Sequence, residues 1–303
     1  MTATPRLIAL GAICTTAIFQ VEHIEPAPAK VMARNRCTVV DGMAISAACA
    51  FQQLGGQAQV WARVGDDAEA QAMRQALALE GIDASGLHTV PGARSSHAAV
   101  IVDAQGQRLV VPFHDPQVDA SPHWLPLVQL AQTDMLHCDV RWPEGAQAAL
   151  QAARARGVPT MVDGDVAPQA VLQGLMPLAD YAVFSDAGLR VYTGMTDVPE
   201  ALLAVAAQGR NQHVGASCGE DGYFWVQEGR IAHAPALKVT VVDTLAAGDV
   251  FHGALALAIL EGQEMAQAAR FACAAASLKC TRFGGRLGCP SRAEVLQVLR
   301  NDL

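Results

Sequence analysis

Two periods of hydrophobic patterning alternate along this chain. Residues 6–13 (RLIALGAI), 59–65 (QVWARVG), 134–140 (DMLHCDV), 158–165 (VPTMVDGD), 181–186 (YAVFSD) and 213–219 (HVGASCG) are short apolar runs of strand length. Runs of this kind, bounded by turn residues, fit strands covered on both faces. Helical patterns fall between them. Residues 42–56 (GMAISAACAFQQLGG) form a small-residue helix stopped by Gly55-Gly56, and residues 66–81 (DDAEAQAMRQALALEG) a helix with acids in its first turn. Residues 143–157 (PEGAQAALQAARARG) follow one of the apolar strands in the same way. Such βα alternation predicts an α/β fold: a mainly parallel central sheet with helices on both faces, a three-layer α/β/α arrangement.

Two segments break this rhythm. Residues 15–40 and about 94–115 alternate with a period of two, the second around a turn at DAQGQR (103–108). They read as antiparallel strands outside the main sheet. The expected organisation is a single domain, 1–303, with a small β lid built from these two insertions. In an open parallel sheet the ligand crevice lies at the carboxyl ends of the strands. That places Asp66, Arg141, Asp163, Asp165, Ser185, Gly219 and the segment 243–249 around one crevice.

Composition narrows the function. Half of the 303 residues are hydrophobic (51%), 17% are charged, and the net charge is −8 without a basic block. A nucleic-acid binder needs clustered cations, so a small-molecule partner is expected. Eight cysteines, scattered from Cys14 to Cys289 with no C-x-x-C pair, read as reduced core thiols of a cytoplasmic protein. The apolar run at 7–19 imitates a signal peptide, but it is short of a membrane span and reads better as a first strand. No other stretch reaches membrane length.

The chemistry concentrates in residues 239–260, VTVVDTLAAGDVFHGALALAIL. The pattern is strand, turn, helix, so residues 246–249 present backbone N–H groups at a helix N-terminus, a place that suits a phosphate. An acid there, Asp249, is either a helix cap or a base that takes a proton from a hydroxyl beside the phosphate.

This stretch resembles the C-terminal signature D-T-x-G-A-G-D of the ribokinase-like (phosphofructokinase-B) carbohydrate kinases, through Asp243, Thr244, Ala246, Ala247, Gly248 and Asp249. Residues 41–67 (DGMAISAACAFQQLGGQAQVWARVGDD) resemble the family's N-terminal signature, and 217–225 (SCGEDGYFW) its nucleotide-side turn. The resemblance implies ATP-dependent phosphorylation of a sugar hydroxyl. Asp249 would be the base, and the N–H groups of Ala246, Ala247, Gly248 and Asp249 an anion hole. Ser217, Gly219, Gly222, Asp243 and Thr244 would serve the nucleotide side, with Mg²⁺ on the phosphates and a monovalent cation such as K⁺ beside Asp243. Thr16, Lys30, Asp41, Gly42, Ser46 and Arg141 would line the sugar end, beside Asp249. The lid would close over the sugar, and alternating apolar positions on it predict a homodimer through the lid strands.

The chain also departs from the pattern. Ala246 replaces the first glycine of the signature, Thr16 the usual sugar-binding acid of G-x-x-x-x-D, and Ser185 to Gly188 (SDAG) the N-x-x-E of the phosphate side. The metal ligands are therefore not assigned from sequence. Residues 162–168, 241–255 and 278–290, with Arg141 and Lys30, are most similar to the branch that acts on 6-deoxy-6-sulfofructose, although Pro112 and Phe113 stand where that branch has asparagine. An anionic ketose is one expectation. In the other, Arg141 merely pairs with Glu144 or Asp139, and the sugar is neutral. His252 is expected to pack within its helix and Lys279 to be a solvated lysine at a helix end. The departures leave open a weakened relative that binds nucleotide or sugar as a regulator. A dinucleotide-binding oxidoreductase is disfavoured, because GAICTT after the first strand is not G-x-G-x-x-G.

Overall fold

The computed structural model describes residues 3–24 and 30–301. The chain begins with β1 (Arg6–Leu10), leaves for β2 (Cys14–Gln20) and β3 (Asn35–Asp41), and returns through α1 (Met43–Gln53) to β4 (Gln57–Val64), α2 (Ala68–Leu79) and β5 (Asp83–Thr89). It leaves again for β6 (His97–Val102) and β7 (Arg108–Phe113). Strands and helices then alternate: β8 (Met135–Cys138), α3 (Pro143–Ala155), β9 (Thr160–Gly164), α4 (Gln169–Leu175), β10 (Tyr181–Ser185), α5 (Asp186–Thr193), α6 (Val198–Ala206) and β11 (His213–Ser217). A hairpin of β12 (Tyr223–Gln227) and β13 (Arg230–Ala234) precedes three helices, α7 (Ala247–Leu260), α8 (Met265–Cys280) and α9 (Arg292–Asn301).

The main sheet has the order β13-β12-β11-β10-β9-β8-β1-β4-β5. It is parallel from β5 to β11 and antiparallel at the β12 and β13 edge. The apolar run of β1 is explained by its two faces. Leu7 and Ala9 join a core with α1, α2, α7 and α8, while Ile8 and Leu10 join a second core with α3 to α6. Burial on both sides removes the polar alternation. Helix α2 starts as its sequence suggests, with the Asp67 carboxylate accepting the N–H of Ala70 at 2.9 Å.

The insertions form a four-stranded sheet, β3-β2-β6-β7. One expectation is corrected here: β2 and β6 pair in parallel, and only the outer pairs are antiparallel. Strands β2 and β6 come from separate excursions and share no hairpin, so nothing forces them to run oppositely. Ile18, Val39, Val100 and Val102 make a small core on this sheet, against Leu245 and Phe283. The edge strand β7 leaves Leu109, Val110, Val111 and Phe113 exposed.

Candidate active site

A cleft of about 870 Å³ lies between the carboxyl ends of the main-sheet strands and the small sheet. Its lining runs from Gly11 and Ala12 after β1, through Asp163, Asp165, Ser185 and Ser217, to Thr16, Ala98, Arg108 and Phe113 of the small sheet. Of the residues that the topology argument placed here, Arg141, Asp163, Asp165, Ser185 and residues 244–249 of the segment 243–249 line the cleft, whereas Asp66, Gly219 and Asp243 do not.

Residues 244–249 carry the most distinctive backbone of the lining. The strand expected before them is not formed. Residues 235–241 have no regular structure, and the N–H groups of Val242 and Asp243 both donate to the Cys280 carbonyl (2.8 and 3.1 Å) instead of to a sheet neighbour. Ala246 then takes φ 63° and ψ 14°, the left-handed region, and α7 starts at the next residue. The N–H of Ala247 donates to the Thr244 carbonyl at 3.2 Å. Among the described residues the N–H groups of Ala246, Gly248 and Asp249 have no acceptor. These open donors, at the positive end of a helix of 14 residues, face the cleft.

Asp249 is the third residue of α7, with part of its surface open to the cleft. Protein atoms still surround it closely enough to desolvate the carboxyl. That burial, and then the charges of Asp163, Asp41, Asp139 and Asp165, push its pKa well above the usual carboxylate value. Asp163 is raised in the same way, by burial and by Asp165 and Asp139. His252 is not only a packing residue: it lines the cleft and sets Nε2 3.4 Å from Asp163 Oδ1. Burial holds His252 well below the ordinary imidazole range, so it faces Asp163 as a neutral ring.

At the other end of the cleft, Asp41 closes β3 and Gly42 begins α1. Gly42 has φ 126°, and a Cβ there would lie 2.1 Å from the Ala12 carbonyl oxygen, so the close approach of these two loops requires glycine. Ser46 does not line the cleft. It is buried, and its hydroxyl donates to Asp41 Oδ1 at 2.5 Å, which fixes the carboxylate from behind. Thr16 lines the cleft but is almost fully buried, its hydroxyl 3.4 Å from the Cys14 sulfur. Lys30, expected on a lid strand, is exposed in the connection between β2 and β3 and is not part of the lining.

Arg141 pairs with neither Glu144 nor the Asp139 carboxylate through its side chain. Nη2 binds Asp165 Oδ2 at 2.9 Å, Nη1 donates to the Val166 carbonyl at 2.8 Å, and Nε lies 3.2 Å from the Met43 sulfur. Asp139, which was not singled out as a site residue, holds the region together. It is fully buried and accepts the N–H groups of Ala12 (3.0 Å), Ala44 (3.1 Å) and Arg141 (2.8 Å). Its signal in the sequence was an acid at the carboxyl end of an apolar strand. Arg63 and Arg108 were missed too; both line the cleft, and Arg108 reaches from β7 to the Thr244 carbonyl at 3.4 Å.

Ser185 caps α5, accepting the N–H of Gly188 at 3.0 Å, and donates to Asp165 Oδ1 at 3.0 Å. A Cβ at Gly188 would fall 1.8 Å from the Gly164 carbonyl oxygen. No longer side chain fits there without moving β9, so the missing glutamate of the phosphate side is built into the packing. Among the described residues no cluster of three or more His, Cys, Asp or Glu side chains could cage a metal ion. At the far end, Ser217 lines the cleft, while Gly219 and Gly222 form the tight turn after β11 and lie outside the lining. Lys279 corrects an expectation: it is fully buried on α8, with Nζ 3.6 Å from Asp243 Oδ2 and 2.6 Å from the Asp243 carbonyl. Burial lowers the amine's pKa, and Asp243 opposes that shift.

Known proteins share this fold. The family model of the pfkB family carbohydrate kinases matches residues 4–292. Ribokinase of Haemophilus influenzae is 26% identical over 307 residues, covering 97% of this chain and 98% of its own. A crystal structure of a provisionally assigned ribokinase from Agrobacterium tumefaciens superposes with a TM-score of 0.95 at 37% identity, covering 99% of this chain and 98% of that one. The structure of Arabidopsis thaliana ribokinase with ribose and ATP superposes with a TM-score of 0.83 over 99% of both chains, at 23% identity.

Proposed function

The chain belongs to the pfkB family of carbohydrate kinases, and we propose that it transfers the γ-phosphoryl group of ATP to a hydroxyl of a ribose- or ketose-type sugar, with Asp249 as the base. It is an ATP-dependent carbohydrate kinase. The observation that carries the mechanism is the raised carboxyl of Asp249 beside the open N–H groups of Ala246, Gly248 and Asp249. As the sugar oxygen attacks, the bond from the γ-phosphorus to the bridging oxygen breaks, and the hydroxyl proton passes to Asp249. A carboxylate more basic than usual is the better acceptor. The negative charge on the transferring group meets backbone donors and the helix dipole, which need no rearrangement during the step. Arg108, at the Thr244 carbonyl, adds a cation from the small sheet. We assign that sheet the role of a lid that excludes water. All eight cysteines are free, which suits a reducing cytoplasm.

Mg²⁺ would be held mainly by the nucleotide phosphates and would neutralise their charge. Asp165 is the carboxylate we assign to it, because the space of a glutamate at 188 is closed and Asp165 lines the same wall beside Ser185. A resident monovalent cation at Asp243 does not fit, because the Lys279 ammonium stands there.

For the sugar, the engaged guanidinium of Arg141 favours a neutral substrate, with Asp41 binding hydroxyls. A second reading, an anionic ketose such as 6-deoxy-6-sulfofructose, draws on three guanidinium groups in the lining, Arg63, Arg108 and Arg141. ADP release measured on ribose, fructose and sulfofructose, for the parent and Arg141→Ala, separates the two. Loss of about 30-fold or more confined to sulfofructose, about 2 kcal/mol, supports the anionic sugar. Equal response of all sugars, or preference of the parent for ribose or fructose, supports the neutral one. A folded, ATP-binding protein that releases no ADP with any of these sugars would leave the regulator reading.

A further inference from the structure

Asp243 is fully buried, and donors saturate its carboxylate. Oδ1 accepts the N–H of Leu245 at 2.8 Å, and Oδ2 accepts those of Gly284 at 3.0 Å and Gly285 at 2.8 Å. Three backbone N–H donors thus converge on its two oxygens. A buried negative charge requires a positive partner. Lys279, next to the last residue of α8, supplies one, with Nζ 3.6 Å from Oδ2 and donating to the carbonyl of the same residue at 2.6 Å. Neither side chain has any exposed surface.

The position matters because this aspartate opens the catalytic turn. Its carboxylate fixes the N–H of Leu245, Ala246 follows in the left-handed region, and the open donors come next. The neighbouring Cys280 carbonyl clamps the other side of Asp243. Oxygens of a buried carboxylate and a main-chain carbonyl are the donor set that an exchangeable K⁺ or Na⁺ takes. Here the ammonium already engages both kinds of oxygen of Asp243, and a second cation in the same dry volume would be repelled by it.

We propose that Lys279 is a tethered monovalent cation: it neutralises Asp243 permanently, holds the turn from Asp243 to Asp249 in its anion-binding shape, and makes the kinase independent of added K⁺. The inference rests on the kinase reading of the cleft and concerns how that site is held. Lys279 is a positioning residue, acting through the turn and touching no substrate.

The test uses the full chain in two buffers of equal ionic strength, K⁺ against tetramethylammonium, with Mg²⁺ and ATP constant. Two quantities are read, sugar-dependent ADP release and the melting temperature without ligands. The parent is expected to keep kcat/KM within twofold and to melt at the same temperature in both. Lys279→Met, which keeps the length and removes the charge, is expected to lose at least tenfold in kcat/KM in tetramethylammonium. K⁺ should restore part of that loss and raise the variant's melting temperature, which a merely structural defect would not show. A parent activated more than tenfold by K⁺, or stabilised by it, overturns the proposal. So does a Lys279→Met protein with parental activity in tetramethylammonium, or a folded one that K⁺ does not rescue. If the variant does not fold, the parent's response decides. If the parent releases no ADP with any sugar, the kinase reading fails, and its melting temperature in the two salts still decides whether the Asp243 site takes an ion.

Discussion

Replacing Ala246 by glycine probes the proposed catalytic turn with the smallest possible change. Ala246 sits at φ 63°, ψ 14°, where a Cβ crowds the next carbonyl at a cost of about 1–2 kcal/mol. Glycine removes that cost. It also gives up the burial of a methyl group that is only 6% exposed, about 0.8 kcal/mol, and adds about 0.4–1 kcal/mol of freedom to the unfolded chain. The opposing contributions nearly cancel, so stability should stay within about 1 kcal/mol of the parent. For 303 residues, an unfolding entropy of about 2.1 cal/mol/K per residue converts this to less than about 2 °C in Tm. Activity should be unchanged or higher, because every N–H is kept and the turn needs no Cβ. Ala246→Val is the counterpart: a β-branched residue in this region is a true outlier, with an added strain of about 1–3 kcal/mol, a fall in Tm of about 2–5 °C, and a distorted anion hole. Differential scanning fluorimetry and ADP release check both. A glycine variant that folds normally but loses more than tenfold in kcat, or a valine variant that matches the parent, would refute the left-handed turn as the working conformation.

Two further outcomes follow from the same cleft and from the small sheet. Asp249→Asn should keep the fold and ATP binding while lowering kcat about a hundredfold or more, the scale of a lost general base; near-normal turnover would remove Asp249 from that role. In the parent, kcat/KM should fall on the acid side at a pH above the usual carboxylate value of about 4, because the Asp249 carboxyl is raised, and a pH profile with its acid limb at or below that value would contradict it. Light scattering at micromolar concentration should give a homodimer, since β7 leaves Leu109 and Val111 exposed outside the cleft lining, and Val111→Lys should convert it to a monomer; a monomeric parent counts against the interface.

Much of this architecture was legible because burial leaves a period in the sequence. The parallel strands read as apolar runs since both faces are covered, as the two cores around β1 show. The 243–249 segment was legible through its resemblance to a family signature; by residue type alone its acid could equally have been a helix cap. What could not be read were contacts across long separations. Lys279 looks like an exposed helix-end lysine until α8 folds back on Asp243, 36 residues earlier. Arg141 finds Asp165 on the next strand loop and not the acids beside it in sequence. The parallel pairing of β2 with β6 depends on two excursions meeting, which no local period encodes. Asp139 was hidden for the opposite reason: its partners are backbone N–H groups, which every sequence offers equally.

The acids of the cleft show why such a site is held so firmly from outside. Asp163 and Asp249 both have carboxyls raised by burial and by their acidic neighbours. A carboxyl whose folded pKa lies above its unfolded value near 4 weakens the fold as pH rises through that window, because the folded state must give up a proton it binds more tightly. At neutral pH these groups therefore oppose folding, and Asp249→Asn should raise Tm there but not below about pH 4. In the role proposed for Asp249 the same repulsion would make it a stronger base, so the instability and the chemistry would have one origin. The opposing forces lie around the cleft. Arg286, buried behind it, binds Glu80 through both Nη atoms (2.6 and 2.9 Å) and donates from Nε to the Val40 carbonyl, tying the base of the small sheet to α2. Lys279 and the Gly284 and Gly285 N–H groups hold Asp243 from the other side. Asp163 and Asp249 face acidic neighbours inside the cleft, whereas Arg141 and Asp165, Arg286 and Glu80, and Lys279 and Asp243 are paired within the protein. The phosphates of a nucleotide thus meet a turn already set to receive them.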